Sequence, residues 1–449
     1  MGQGIGRRPL SENESEAGVM IDRIISLLKT SGVTAWELSD VVTHGWEFYF
    51  IRHELDQNRV KNVETITLKV YQAIENGTYL GSAEAEIAPT ASENEVNELI
   101  KSLAYRSTLV RNRPYKLAAP QPAEPMESID DKPEKFAAEF LNTMKSLSET
   151  EQESINSYEI FVSYKTSRFL SSTGIDVSEA WPESMMEVIV NARKNGHEIE
   201  LYRDYKSGSC DVEGLRRDLL CTMRYGRDRL LAVPTPPLGT ADVLFTGGDA
   251  REIYSYFVDR LDAAMVYRRM SDWEPGKPVC TDFQGDRLTL RTLRTIPNSS
   301  ANRRYDAEGA PVKDVTLIEN GVAKNILGNR MYASYLGLED AFIPANFAVS
   351  GGSYSEEELR NGPYLELVEF SDFQVDSMTG DLFGEIRLGY WHDGNSVIPV
   401  SGGSVSGSMM ELTGKMFLSR ETLQYNNWQI PSATLLKGVT VTGIEKNPE

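Results

Sequence analysis

The sequence predicts an α+β fold, with large antiparallel sheets and helices packed against them. The first observation is a recurring turn signal. Asn76-Gly77, Asn195-Gly196, Asn320-Gly321 and Asp393-Gly394 each separate two strand-like segments. Such turns demand positive φ, which Asn, Asp and Gly tolerate, and they join neighbouring antiparallel strands. The second is that amphipathic, capped helices occur between these hairpins without the strict strand-helix alternation of a doubly wound parallel sheet. The third is length: at ~150 residues per domain, 449 residues fit two or three domains, with a core that needs neither disulfides nor metals.

In order along the chain, "WEFYFIRHEL" (Trp46 to Leu55) is aromatic and β-branched, and "TITLKVYQAI" (Thr65 to Ile74) alternates, so both read as strands. "SENEVNELIKSLAYRS" follows, with Ser92 and Glu95 as a capping box and Val96, Leu99, Ile100 and Leu103 on one stripe; it predicts a helix from Glu93 to about Arg106. A proline-rich connector occupies 112–131. The next helix starts near Pro133, with Phe136, Ala137, Phe140, Leu141 and Met144 on one face.

Tyr158 to Tyr164 and Met186 to Ala192 read as strands, the second leading into the Asn195-Gly196 turn. Pro234, Pro236 and Pro237 mark a crossing between domains. A helix from about Ala250 places Ile253, Tyr254, Phe257 and Leu261 inward. The remainder is mainly strands, with short helices at "SEEELRNG", where Ser355 and Glu358 form a capping box, and at "GSMMELTGKMFL". These features divide the chain into an N-terminal α+β region at 1–222, with the connector as a candidate split, and a mainly-β region at 223–449.

Composition narrows the function classes. A net charge of −20 repels phosphates, so direct nucleic-acid binding is disfavoured. No apolar run approaches the ~20 residues of a membrane helix. The start, "MGQGIGRRPLSENESEAGVM", has no apolar core behind its basic residues, and Gly6 stands where a myristoylation signal needs Ser or Thr. A cytoplasmic protein is expected. No strand precedes "GQGIG", which reads as a loose tail and not a nucleotide fingerprint. Cys210, Cys221 and Cys280 are odd in number and widely spaced, as unpaired reduced thiols are.

Chemistry is sparse. His53-Glu54 opens a zinc-peptidase signature, but its second-ligand positions hold Gln57 and Asn58, neither of which replaces an imidazole on zinc. His44, His53, His197 and His392 are the only histidines, with no i, i+2 or i, i+4 pair. His197 and His392 flank hairpin glycines and read as exposed turn residues. Asp372, Asp376, Asp381 and Glu385 match no Ca²⁺ loop and read as a solvated turn between strands. In "VSGGSVSGS", the backbone and hydroxyls of Ser401, Gly402, Gly403 and Ser404 are candidates to hold an anion or a carbonyl oxygen. No serine there stands in G-x-S-x-G spacing. The residues thus give no catalytic set and no metal set.

Read together, "YDAEGAPVKDVTLIENGVAKNILGNRMYASYLG" (Tyr305 to Gly337), "FSDFQVDSMTGDLFGEIRLGYWHDGNSVIPVSGGSVSGSMMEL" (Phe370 to Leu412) and "IPSATLLKGVTVTG" (Ile430 to Gly443) resemble the TldD/PmbA family. "RFLSSTGIDVSEAW" extends the likeness more thinly toward the N-terminus. The resemblance implies a two-part cytosolic peptidase, historically described as a modulator of DNA gyrase. TldD-type subunits carry HExxxH and pair with PmbA-type (TldE) subunits that lack it. The family's metal helix would fall after "ADVLFTGG", where this chain has "DAREIYSYFVDRLD" (Asp249 to Asp262) and no histidine; nor does a cysteine follow Cys280.

The resemblance therefore implies a PmbA-like, non-metallic subunit. It would have no cofactor of its own, with zinc residing in an HExxxH-bearing partner. It would act as a homodimer, or as a heterodimer with a TldD-type subunit, and hold a peptide or unfolded segment, with Ser401 to Ser404 as the candidate contact. The alternatives are a self-sufficient peptidase with an unrecognised site, or a gyrase-linked regulator.

Overall fold

The computed structural model describes residues 11–126, 133–150 and 152–444. The glycine-bearing start of the chain and the end of the proline-rich connector lie outside the described residues. In the first half, α1 (Ser11–Thr30) leads into β1 (Ala35–Ile51), β2 (Glu54–Ile74), β3 (Tyr79–Ile87) and α2 (Glu93–Ser107). After the connector come α3 (Pro133–Lys145), β4 (Glu153–Ser171), β5 (Asp176–Lys194), β6 (His197–Ser207) and α4 (Val212–Leu231). The strands form one antiparallel sheet in the order β3-β2-β1-β4-β5-β6.

Helices cover one face of this sheet. Ile21, Ile24 and Leu28 of α1 and Val96, Ile100 and Leu103 of α2 close over Leu38, Ile66, Leu68 and Val70. Phe136 and Phe140 of α3 and Leu215 and Leu219 of α4 close over Tyr158, Ile160, Met186 and Val188. Each such side chain contributes roughly 1.5–3 kcal/mol through burial, so the stripes that mark these helices in the sequence also hold them in place.

The second half comprises β7 (Val233–Pro234), β8 (Gly239–Thr246), α5 (Arg251–Arg260), α6 (Ala263–Tyr267), β9 (Leu290–Leu293), β10 (Val315–Glu319), β11 (Val322–Ala323), α7 (Arg330–Tyr335) and β12 (Asn346–Val349). It continues with α8 (Glu356–Leu359), β13 (Tyr364–Val375), β14 (Asp381–His392), β15 (Val397–Ser401), β16 (Ser404–Ser408), α9 (Met409–Leu412), β17 (Met416–Leu418), β18 (Thr422–Tyr425), β19 (Trp428–Pro431) and β20 (Ala433–Thr442). One sheet runs β11-β10-β9-β12-β19-β18. In the other, β13-β8-β20-β16-β14 closes into a barrel because β13 also pairs with β14. One core joins barrel residues Leu365, Leu367, Val405 and Leu436, through Ile253, Tyr254 and Phe257 of α5, to Leu290, Phe347 and Ile430 of the first-named sheet. The molecule is α+β.

Several expectations are refined. Both capping boxes form as read, at Ser92/Glu95 and Ser355/Glu358. Asn76, Asn195 and Asn320 take φ of 56°, 51° and 48°. Asp393 does not adopt positive φ; its carboxylate instead accepts backbone N–H bonds from Asn395 (2.8 Å) and Ser396 (2.7 Å), and only Gly394 is left-handed, at 94°. The strands expected at Tyr158 to Tyr164 and Met186 to Ala192 are the middles of the much longer β4 and β5. Trp46 to Leu55 is not one strand, because Arg52 (φ 55°) turns the chain between β1 and β2.

The sheet also stores an electrostatic cost. Asp40 on β1 is 8% exposed, its Oδ1 has no hydrogen-bond partner among the described residues, and Glu64 lies diagonally across on β2. Burial first, and the Glu64 charge second, push its carboxyl up to about 6 against the pull of Arg168. A raised acid pKa means that the folded state holds a proton the unfolded chain releases. The stability it confers is complete below the unfolded value of 3.8 and is lost as pH rises through about 6. Asp40→Asn should therefore stabilise the protein by about 2 kcal/mol near pH 8 and change little near pH 4, read by urea unfolding. Equal destabilisation at both pH values would contradict this account.

Candidate functional site

Ser401 to Ser404 lie where β15 passes into β16 along β14. Gly402 and Gly403 take φ of 80° and 77°, a left-handed pair that lets one strand line continue past a kink. Gly402 N donates to Ile386 O (2.8 Å), Ile386 N donates to Gly403 O (3.1 Å), and Ser401 Oγ donates to Arg387 O (2.7 Å). Ser404 pairs with Glu385 on one side and Thr442 on the other. The Gly402 amide and the Ser401 hydroxyl are thus engaged within the barrel wall. A Cβ at Gly403 would stand 2.3 Å from Thr442 O, and one at Gly402 would stand 2.5 Å from Ile444 Cδ1. Both glycines serve the close approach of β16 to the end of β20.

The histidines are scattered. His53 occupies the β1–β2 turn, with its ring against the Glu149 carboxylate. His197 is exposed, as its hairpin position implies. His392 is not an exposed turn residue: it ends β14, stacks on Tyr364 with ring centroids 4.1 Å apart, and lies 3.7 Å from Glu366 Oε2. Glu366 also accepts from Arg360 Nη2 (3.1 Å) and Thr246 Oγ1 (3.2 Å). Burial pushes the Glu366 carboxyl up, but His392, Arg360 and Thr246 outweigh it and hold the group below the usual carboxylate range. Asp376 accepts from the N–H groups of Met378 and Thr379 (both 2.8 Å) and shapes an exposed turn. Among the described residues, no three His, Cys, Asp or Glu side chains gather as a metal set.

A cleft lies beside α5. That helix follows β8 after Gly247 (φ 85°). Ile253, Tyr254 and Phe257 are buried, and the Tyr254 hydroxyl shares a 2.6 Å hydrogen bond with Thr434 Oγ1. At 3.6 residues per turn, the opposite stripe is Ser255, Val258 and Asp259, and Asp262 continues it just past the helix end, in extended backbone. This stripe borders a cleft of about 320 Å³, lined also by Leu261, Leu317, Leu327, Ile343, Pro344, Phe347 and Trp428. Phe347 of β12 and Trp428 of β19 stack at 4.6 Å. Asp259, exposed at the rim, accepts from Ser377 Oγ (2.6 Å), while Asp262 Oδ1 caps α6 through Ala264 N (2.8 Å).

On this stripe a metal ion would meet one hydroxyl and two carboxylates, one of them committed to a helix cap. Zinc takes four ligands in structural sites and three protein ligands in catalytic ones, usually with imidazole or thiolate among them, so this donor set does not fit it. Asp259 and Asp262 were not singled out by sequence reading, although their spacing from Ser255 matches one helix face. Phe347 and Trp428 had no local signal, because different strands carry them.

Residues 238–443 match the family model described as the PmbA/TldA metallopeptidase C-terminal domain. The fold is similar to that of TldE from Thermococcus kodakarensis, with a TM-score of 0.76 at 15% identity, covering 94% of this chain and all (100%) of that one. It is also similar to a putative modulator of a DNA gyrase from Thermotoga maritima, with a TM-score of 0.75 at 17% identity, covering 95% of this chain and 100% of the other. A metalloprotease of Methanothermobacter thermautotrophicus is 26% identical over 272 residues, 55% of this chain and 58% of the relative. An uncharacterised protein of Methanocaldococcus jannaschii is 24% identical over 140 residues, 28% of this chain and 33% of that relative's length.

The glycine geometry is testable. Gly196→Ala meets nothing within 4 Å and tests the left-handed backbone alone, whereas Gly403→Ala adds the clash with Thr442 O. The first should cost about 1 kcal/mol and the second at least about 2 kcal/mol more, measured by denaturant unfolding. Equal costs would remove the close-approach role assigned to Gly403.

Proposed function

Through residues 238–443 the chain belongs to the TldD/PmbA metallopeptidase family, and from that premise we propose that it is a PmbA-type, TldE-like member that handles peptides without a metal of its own. The observation carrying this reading is the open face of α5, where Ser255, Val258, Asp259 and Asp262 line the cleft and no histidine does. The absence of any cysteine beyond Cys280 agrees with it, as does the likeness in fold to a TldE.

In this reading the chain works as a homodimer or beside an HExxxH-bearing partner that supplies zinc, and it presents an extended peptide or unfolded segment. The sheet containing Phe347 and Trp428 ends at β18, whose outer edge has no neighbouring strand among the described residues. Such an edge binds extended chain through main-chain hydrogen bonds with little demand on sequence. Ser401 to Ser404 remain a proposed secondary contact, at the kink beside the barrel seam.

Purified alone, the protein should carry no stoichiometric metal and leave unstructured peptides intact, and cleavage should appear once a TldD-type HExxxH subunit is added. Liquid chromatography of the peptide products and elemental analysis of the protein read both outcomes. Chelator-sensitive cleavage by this chain alone would overturn the proposal.

A further inference from the structure

We propose that the cleft beside α5 binds the side chain of a lysine or arginine in an extended peptide. This deepens the peptide-handling reading and rests on it. Leu261, Leu317, Leu327, Phe347 and Trp428 are each less than a tenth exposed and form an apolar lining. Asp259 and Asp262 stand among the lining residues, and no Lys, Arg or His does.

The nearby arginines are engaged elsewhere. Arg251 lies 3.6 Å from Glu252, and Arg260 turns to Asp272 and to Met270 O. Among the described residues, neither Asp259 nor Asp262 forms an ion pair. Two carboxylates without a cation beside an apolar lining suit a guest with a long aliphatic stem and a positive head, because such side chains lay the stem on apolar surface and keep the charge in water. Trp and Phe add attraction for a cation near their rings.

Size points the same way. About 320 Å³ lies at the small end of the ~300–1,000 Å³ range of ligand pockets and suits one long side chain. A leucine would fill the apolar part and bring no cation to either carboxylate. A glutamate would meet them with like charge. The net charge of −20 further favours a basic guest in the encounter.

The test uses the full chain and three N-acetylated, amidated extended peptides, identical except for lysine, norleucine or glutamate at one central position. Calorimetric titration should give an order of affinity Lys > norleucine > Glu, with Lys over norleucine about tenfold at low salt. Asp259→Asn should abolish the lysine preference without weakening the norleucine peptide, and Asp259→Glu should restore it. Asp262→Asn keeps a good helix cap and should lower lysine affinity alone. Equal affinities for the three peptides, or an undiminished lysine preference in Asp259→Asn, would overturn the assignment of this cleft while leaving peptide handling intact. Failure of all three peptides to bind up to millimolar concentration would sink the peptide-handling reading and this inference with it.

Discussion

The hydrogen bond between the Tyr254 hydroxyl and Thr434 Oγ1, 2.6 Å long and fully buried, fixes the rotation of α5. A buried hydroxyl without its partner costs about 1–3 kcal/mol, so α5 cannot turn about its axis without exposing Phe257 or orphaning Tyr254. With Ile253, Tyr254 and Phe257 committed inward, Ser255, Val258 and Asp259 must face the cleft, and Asp262 joins them from the cap of α6. The chemistry open to this half of the molecule is therefore set by the packing on the other side of one helix. The closed barrel supports that contact from below, since Thr434 belongs to β20, which pairs with β8 and β16.

The same constraint separates what packing demands of this helix from what a metal would demand. Packing needs the apolar side of the helix, whereas zinc needs only its open side. The two stripes do not overlap, so Ser255 and Asp259 can be substituted without disturbing Tyr254 or Phe257. What remains is a helix in a rigid setting beside a cleft with aromatic and aliphatic lining. The kink at Gly402 and Gly403 belongs to a different part of the barrel, where positive φ at both, the Ile444 side chain beside Gly402 and the Thr442 carbonyl beside Gly403 account for the glycines.

Local features were legible in the sequence wherever one short segment contains both halves of an interaction. Ser92 with Glu95, Ser355 with Glu358, the Asn-Gly turns and the inward stripe of α5 are all of this kind. Strand length was less legible: outside 158–164 and 186–192, β4 and β5 carry charged residues such as Lys165, Arg168, Glu179 and Glu183, which interrupt the apolar alternation. His392 reads as a turn residue beside Asp393-Gly394, yet Tyr364, placed opposite it by the β13–β14 register, draws its ring inward. Barrel closure depends on the parallel β8–β13 pairing, which no periodicity encodes. The cleft could be half seen, since Ser255 and Asp259 share a helix face; Phe347 and Trp428 meet it only through the parallel pairing of β12 with β19.

The most direct test of the central claim, that the open face of α5 works without a metal, is a calorimetric zinc titration of the purified chain near neutral pH. The account predicts no saturable binding beyond weak surface association. Stoichiometric, tight zinc binding that disappears in Asp259→Ala would contradict it.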